Sequence, residues 1–99
     1  MKVPGQNRLH YSPGIPLRMN CKEASLDEAF ILVKKRNNSN KNFFYLSKNK
    51  NLKEAARNLY SVLRIIKKKG YKKIAVEKIE NKGIGLAIND RLQKASSKK

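Results

Sequence analysis

Three consecutive stretches decide how this chain folds: LKEAARNLYSVLR at residues 52–64, GYKKIAVEKI at 70–79 and NKGIGLAINDRLQKA at 81–95. In the first, Leu52, Ala55, Ala56, Leu59, Leu63 and Ile66 recur at helical spacing and predict one buried face. Asn51 stands at the N-cap, and Glu54 three residues on offers the other half of a capping box. The run 67–69 (KKK) suits the negative end of the helix dipole, and Gly70 supplies the turn that ends the helix. Residues 73–77 (KIAVE) then predict a strand whose Ile74-Ala75-Val76 run suits a central place in a sheet. A second helix is expected from about Gly83, burying Ile84, Ala87, Ile88, Leu92 and Ala95, with Asp90 in reach of Lys94 one turn on.

Working outward, residues 29–34 (AFILVK) and 43–47 (FFYLS) predict two more strands. The polar segment 37–42 between them suggests a hairpin-like antiparallel pair. Residues 43–77 read as a βαβ unit, parallel with a right-handed crossover. The fold class is therefore α/β: a small β-β-α-β-α domain over residues 21–99. Residues 1–20 carry all three prolines, including the turn pairs Pro4-Gly5 and Pro13-Gly14, and read as an extended arm bearing His10, Tyr11 and Arg18.

Length bounds function. A chain of 99 residues makes one domain that buries about two-thirds of its unfolded surface. That leaves little room for a deep cleft and argues against a self-contained enzyme. The 24 Lys and Arg against 7 Asp and Glu give a formal charge of +17, a field that attracts phosphate-rich partners. An AT-rich coding bias would load a solvated surface with Lys and Asn in the same way, as in Asn37-Asn38-Ser39-Asn40, so charge alone does not establish a nucleic-acid partner. The lone Cys21 excludes an internal disulfide and fits a reducing cytoplasm. No stretch is apolar for long enough to span a bilayer, and no membrane partner is expected.

The candidate sites are few. Gly83-Ile84-Gly85 at the head of the second helix could offer bare N–H groups to a phosphate, or could simply let helix and strand approach closely; G-x-G without a third glycine is a weak signal. Phe43, Phe44 and Tyr45 could form a stacking platform for bases, although consecutive aromatics in a strand more often pack on two faces. His10 is the sole histidine, and the sequence offers no carboxylate pair, Ser/His/Asp set or metal-spaced cluster, so zinc chemistry and triad hydrolysis are not expected.

Taken in order, the motifs resemble a known family. Pro4-Gly5, His10-Tyr11 and Ser12-Pro13 follow the P-G-x-x-x-x-H-Y-[AS]-P linker of long-form threonylcarbamoyl-AMP synthases. Glu28-Ala29, Leu46-Ser47, Glu54-Ala55-Ala56, Asn58-Leu59-Tyr60, Leu63-Arg64, Ile74-Ala75-Val76, Gly83-Ile84-Gly85 and Ala87-Ile88-Asn89-Asp90-Arg91-Leu92 are similar to the C-terminal domain of that family. The resemblance implies a Rossmann-like domain whose linker lies as a lid over a separate nucleotidyltransferase domain. That domain condenses ATP, L-threonine and bicarbonate into threonylcarbamoyl-adenylate for N6-threonylcarbamoyladenosine in tRNA. It also implies that ATP and magnesium belong to the catalytic domain and that this chain holds no cofactor. His10 and Tyr11 become the arm residues that face the partner active site, with Arg8 and Arg18 as phosphate contacts. The expected partners are the catalytic domain, in cis or in trans, and tRNA through the basic surface. The chain is then an excised piece or one half of a split gene. A free-standing basic RNA-binding module is the alternative, and a degenerate fragment with no selected role is a third reading.

Overall fold

The computed structural model describes residues 15–96. Its elements run β1 (Leu17–Cys21), β2 (Ala29–Leu32), β3 (Phe43–Tyr45), α1 (Leu52–Lys68), β4 (Ile74–Glu77) and α2 (Ile84–Ser96). The strands form one sheet in the order β1-β4-β2-β3, and every neighbouring pair is parallel. β4 is central, as its apolar run predicts: Ile74, Ala75 and Val76 are fully buried. β3 and β4, the two strands joined through α1, share a direction, but β2 lies between them.

Both helices cover one face of the sheet. Ala55, Leu59, Leu63 and Ile66 of α1 and Ile88, Leu92 and Ala95 of α2 close over Ala29, Ile31, Ile74 and Val76. Each fully buried leucine or isoleucine there contributes roughly 1.5–3 kcal/mol. The ends of α1 explain its length. The Asn51 side chain accepts from the Glu54 N–H at 3.0 Å. The expected return bond is replaced, because the Asn51 N–H donates to the buried Ser47 hydroxyl at 3.0 Å. At the other end, Gly70 (φ +89) donates to Lys67 O and Tyr71 to Ile66 O, the paired bonds of a Schellman turn.

Four expectations need correction. β2 and β3 are parallel, with Phe30 opposite Phe43 and Leu32 opposite Tyr45. Residues 33–42 form a connection longer than a tight hairpin turn, and the chain uses that length to run back to the start of the sheet. Only an isolated antiparallel bridge, Lys34 with Asn49, follows the strands. Second, the sheet gains a strand: residues 17–20, assigned to the arm, belong to β1, which pairs with β4. Their alternation puts Leu17 and Met19 against the helix-face core and Arg18 on the other side. The boundary at residue 20 thus falls inside a strand. Third, Ile84 is 40% exposed and Ala87 is exposed, because α2 reaches the core only from Ile88 onward. Fourth, the capping box is half-formed, as above.

Among the described residues, the second face carries no helix. Phe30, Leu32, Ala75 and Cys21 form its small core, with Phe43 and Tyr45 packed alongside. The two irregular connections cover it: Ala24, from residues 22–28, packs on this cluster, and the Arg36 guanidinium, from residues 33–42, sits 4.8 Å over the Phe30 ring.

Candidate functional site at the carboxyl edge of the sheet

At the amino edge, Arg18 of β1 meets Glu28, the residue before β2. Its Nε and Nη2 donate to the two carboxylate oxygens at 3.0 Å each, and the Ser25 N–H adds a third bond at 3.0 Å. The Arg18 hydrogen bond holds the Glu28 carboxyl below the usual carboxylate range, overcoming the opposing effect of burial. The same hydrogen bond raises the Arg18 pKa. Arg18, expected as a phosphate contact, thus has two donors committed inside the fold. Beside it, the buried Asn42 amide donates to Glu28 O at 2.8 Å and to Ser25 O at 3.2 Å, tying the two connections together.

Gly83 and Gly85 sit at the start of α2. Gly83 takes the left-handed φ of +59, and a Cβ there would meet open space. Gly85 is different: a Cβ would fall onto the Glu80 carbonyl oxygen, so glycine is what lets helix and connection touch. The first turn is closed locally, with the Gly85 N–H donating to Lys82 O and the Leu86 N–H to Gly83 O, both at 3.1 Å. Asn89 then anchors the helix by donating to Ile79 O at 2.8 Å. Phe43, Phe44 and Tyr45 pack on both faces: Phe43 is edge-on to Phe30, and Phe44 edge-on to Tyr71 across the sheet. His10, Tyr11 and Arg8 lie outside the described residues.

A concavity built from residues remote in the chain lies where β1, β4 and β2 end. A cavity of about 320 Å³ is lined by Asn20, Cys21 and Lys22, by Val33, Lys34 and Arg36, by Lys50, and by Glu77 and Lys78. Glu77 organises its floor. One carboxylate oxygen accepts the Val33 N–H at 3.1 Å, and the other accepts from Arg36 Nη2 at 3.3 Å. Arg36 also donates to Lys22 O at 3.1 Å, so its guanidinium is fixed in place. A bulge shapes the β1 side: Arg18 pairs with Ala75, but Cys21 with Glu77, and Asn20 between them takes φ +57. Sequence reading missed this site because its residues lie far apart in the chain and none forms a motif. The charge run at 34–36 (KKR) is the one signal that touches it.

The fold and the tight strand-to-helix packing define a small, wholly parallel α/β domain of Rossmann-like type. The family model for the C-terminal domain of threonylcarbamoyl-AMP synthase matches residues 1–97, and the chain belongs to that family. A threonylcarbamoyl-AMP synthase from Pyrococcus abyssi (strain GE5 / Orsay) is 45% identical over 53 residues, covering 54% of this chain and 15% of that protein. The crystal structure of P. abyssi Sua5 complexed with L-threonine matches with a TM-score of 0.65 at 27% identity. That match covers 97% of this chain and 32% of the other, so the chain spans about a third of the matched structure's length. Within the fold, the residues that carry the family resemblance hold joints. Glu28 clamps β1, the Ser47 hydroxyl fixes the entry to α1, and Asn58 Nδ2 donates to Leu46 O at 2.9 Å. Gly85 and Asn89 seat α2.

Proposed function

We propose that this chain serves as the accessory, gating domain of a threonylcarbamoyl-AMP synthase. Its arm acts as a lid over a catalytic domain that makes threonylcarbamoyl-adenylate from ATP, L-threonine and bicarbonate for tRNA modification. The observation that supports this most is the anchoring of the arm's exit. The Ile74 N–H donates to Pro16 O at 3.0 Å, and Arg18 is clamped to Glu28, so chain arriving at residue 15 enters the edge of a rigid sheet. A lid needs such a fixed hinge. His10 and Tyr11 would then be held over the reacting groups, with Arg8 beside them, excluding water from the carbamate and adenylate intermediates. ATP and magnesium belong in this reading to the catalytic domain. Among the described residues no cluster of three His, Cys, Asp or Glu is placed to hold a metal. The buried, free thiol of Cys21 suits a cytoplasmic setting.

The test supplies a catalytic domain of the family, fused or separate, and follows pyrophosphate release and adenylate hydrolysis with threonine and bicarbonate. The chain alone should release no pyrophosphate. Adding it should lower the fraction of adenylate lost to water, and His10→Ala with Tyr11→Ala should restore that loss while leaving the thermal midpoint of the domain unchanged. A catalytic domain indifferent to the chain in both rate and loss overturns the reading.

A further inference from the structure

β4 is where the sheet's connections change sides. The chain leaves β1 and β2 over the face away from the helices, where Ala24 packs on the Phe30 cluster and Arg36 stacks on the Phe30 ring. It leaves β4, which lies between those strands, toward α2 on the helix face. Neighbouring connections that part to opposite faces open a crevice beyond the carboxyl ends of parallel strands, and open α/β sheets take their ligands there. The 320 Å³ cavity occupies that crevice, with walls from the ends of all three strands.

Its chemistry is one-sided. Lys22, Lys34, Lys50 and Lys78 all line it, all are exposed, and none pairs with an acidic side chain among the described residues. The one carboxylate in the lining, Glu77, is already neutralised by Arg36. The walls are also held in place. Both non-glycine residues with left-handed backbone among the described residues, Asn20 (φ +57) and Lys50 (φ +60), line the cavity. Asparagine adopts that conformation readily, whereas a lysine keeps it only where its surroundings fix it. For Lys50 the restraint is a bond from its N–H to Val33 O at 2.8 Å.

We infer that this crevice binds a compact oligophosphate, either free pyrophosphate or the polyphosphate tail of a nucleotide, between the ammonium groups of Lys22, Lys34, Lys50 and Lys78. Ammonium groups on flexible stems meet a small, multiply charged anion from several directions as point charges. The cavity admits an anion of that size with some of its water. A nucleic-acid backbone strings its charges along a line, whereas these lysines face one concavity. The assignment rests on the crevice itself and stands apart from the gating role proposed above.

The experiment titrates the full chain with pyrophosphate and separately with ATP, at fixed ionic strength, and follows backbone amide resonances. The amides of Cys21, Lys22, Val33, Lys34 and Lys78 should shift together and saturate. Combining Lys22→Gln, Lys34→Gln and Lys78→Gln should weaken binding by about tenfold or more, since the lost attractions act at short range. A charge-matched control on the outer face of α1, Lys53→Gln with Arg64→Gln and Lys68→Gln, should change it by less than about twofold. Equal binding of the two ligands assigns the free anion, and tighter binding of ATP with further shifts assigns the nucleotide tail. Equal weakening by both triple variants, shifts spread over the whole surface, or binding of tRNA through these lysines without binding of pyrophosphate would each overturn the inference.

Discussion

The two faces of this sheet are covered by opposite means. On one, α1 and α2 lay apolar stripes over Ile31, Ile74 and Val76, and close packing does the holding. On the other, the connections 22–28 and 33–42 run back over Phe30, Leu32 and Ala75 without a helix. Irregular backbone placed over a sheet must find partners for its own polar groups, so that face is held by directed bonds. Glu28, Asn42, Arg36 and Glu77 supply them, and each ties segments distant in the chain. Apolar layers tolerate conservative change and fail gradually, whereas polar tethers fail one bond at a time.

Substitutions can break this contrast. The largest effect is expected on the helix face: Leu59 is fully buried, and Leu59→Ala should cost about 2–5 kcal/mol in urea or thermal unfolding. A loss below 1 kcal/mol would show that α1 repacks freely. On the tethered face, Asn42→Ala removes the buried bond to the Glu28 carbonyl, while the Ser25 carbonyl keeps the Glu28 N–H, and should cost about 1–3 kcal/mol. It should also speed hydrogen exchange in residues 22–42 before the helices are affected. Global loosening instead would mean that the two faces form one cooperative unit.

The smallest effect sharpens the picture through pH. The Glu28 carboxyl is buried and its pKa lies below its unfolded value, so its ionised form stabilises the fold. That contribution is complete above the ordinary carboxylate pKa of about 4.3 and disappears as pH falls through the lower folded value. Glu28→Gln should lower stability at neutral pH by about 1–2 kcal/mol, a modest figure because the Arg18 side chain opposite is 59% exposed. It should also flatten the acid limb of the stability curve. An unchanged acid limb would assign the acid sensitivity to another carboxylate.

The helix face was the legible part of this protein. Leu59, Leu63 and Ile66 announce α1 by spacing alone, and Ile74-Ala75-Val76 announces a central strand because apolar residues on both faces of a strand require cover on both. The ordered motifs gave the family as well. The tethered face was not legible, because its information lies in single polar residues whose partners are remote in sequence: Asn42 read as loop, and Arg18 as an arm residue poised for phosphate. The carboxyl-edge crevice was hidden for the same reason, its lysines coming from four separate segments.

Periodicity thus determined α1 with its apolar side, α2 and the strands β2, β3 and β4, since these depend on neighbours a few residues apart. Only the tertiary structure decided that β2 and β3 run parallel, that residues 17–20 join the sheet, and that Gly85 serves packing. These depend on contacts between segments remote in the chain, such as the Asn42 amide on the Glu28 carbonyl, which form only after the chain has folded back on itself.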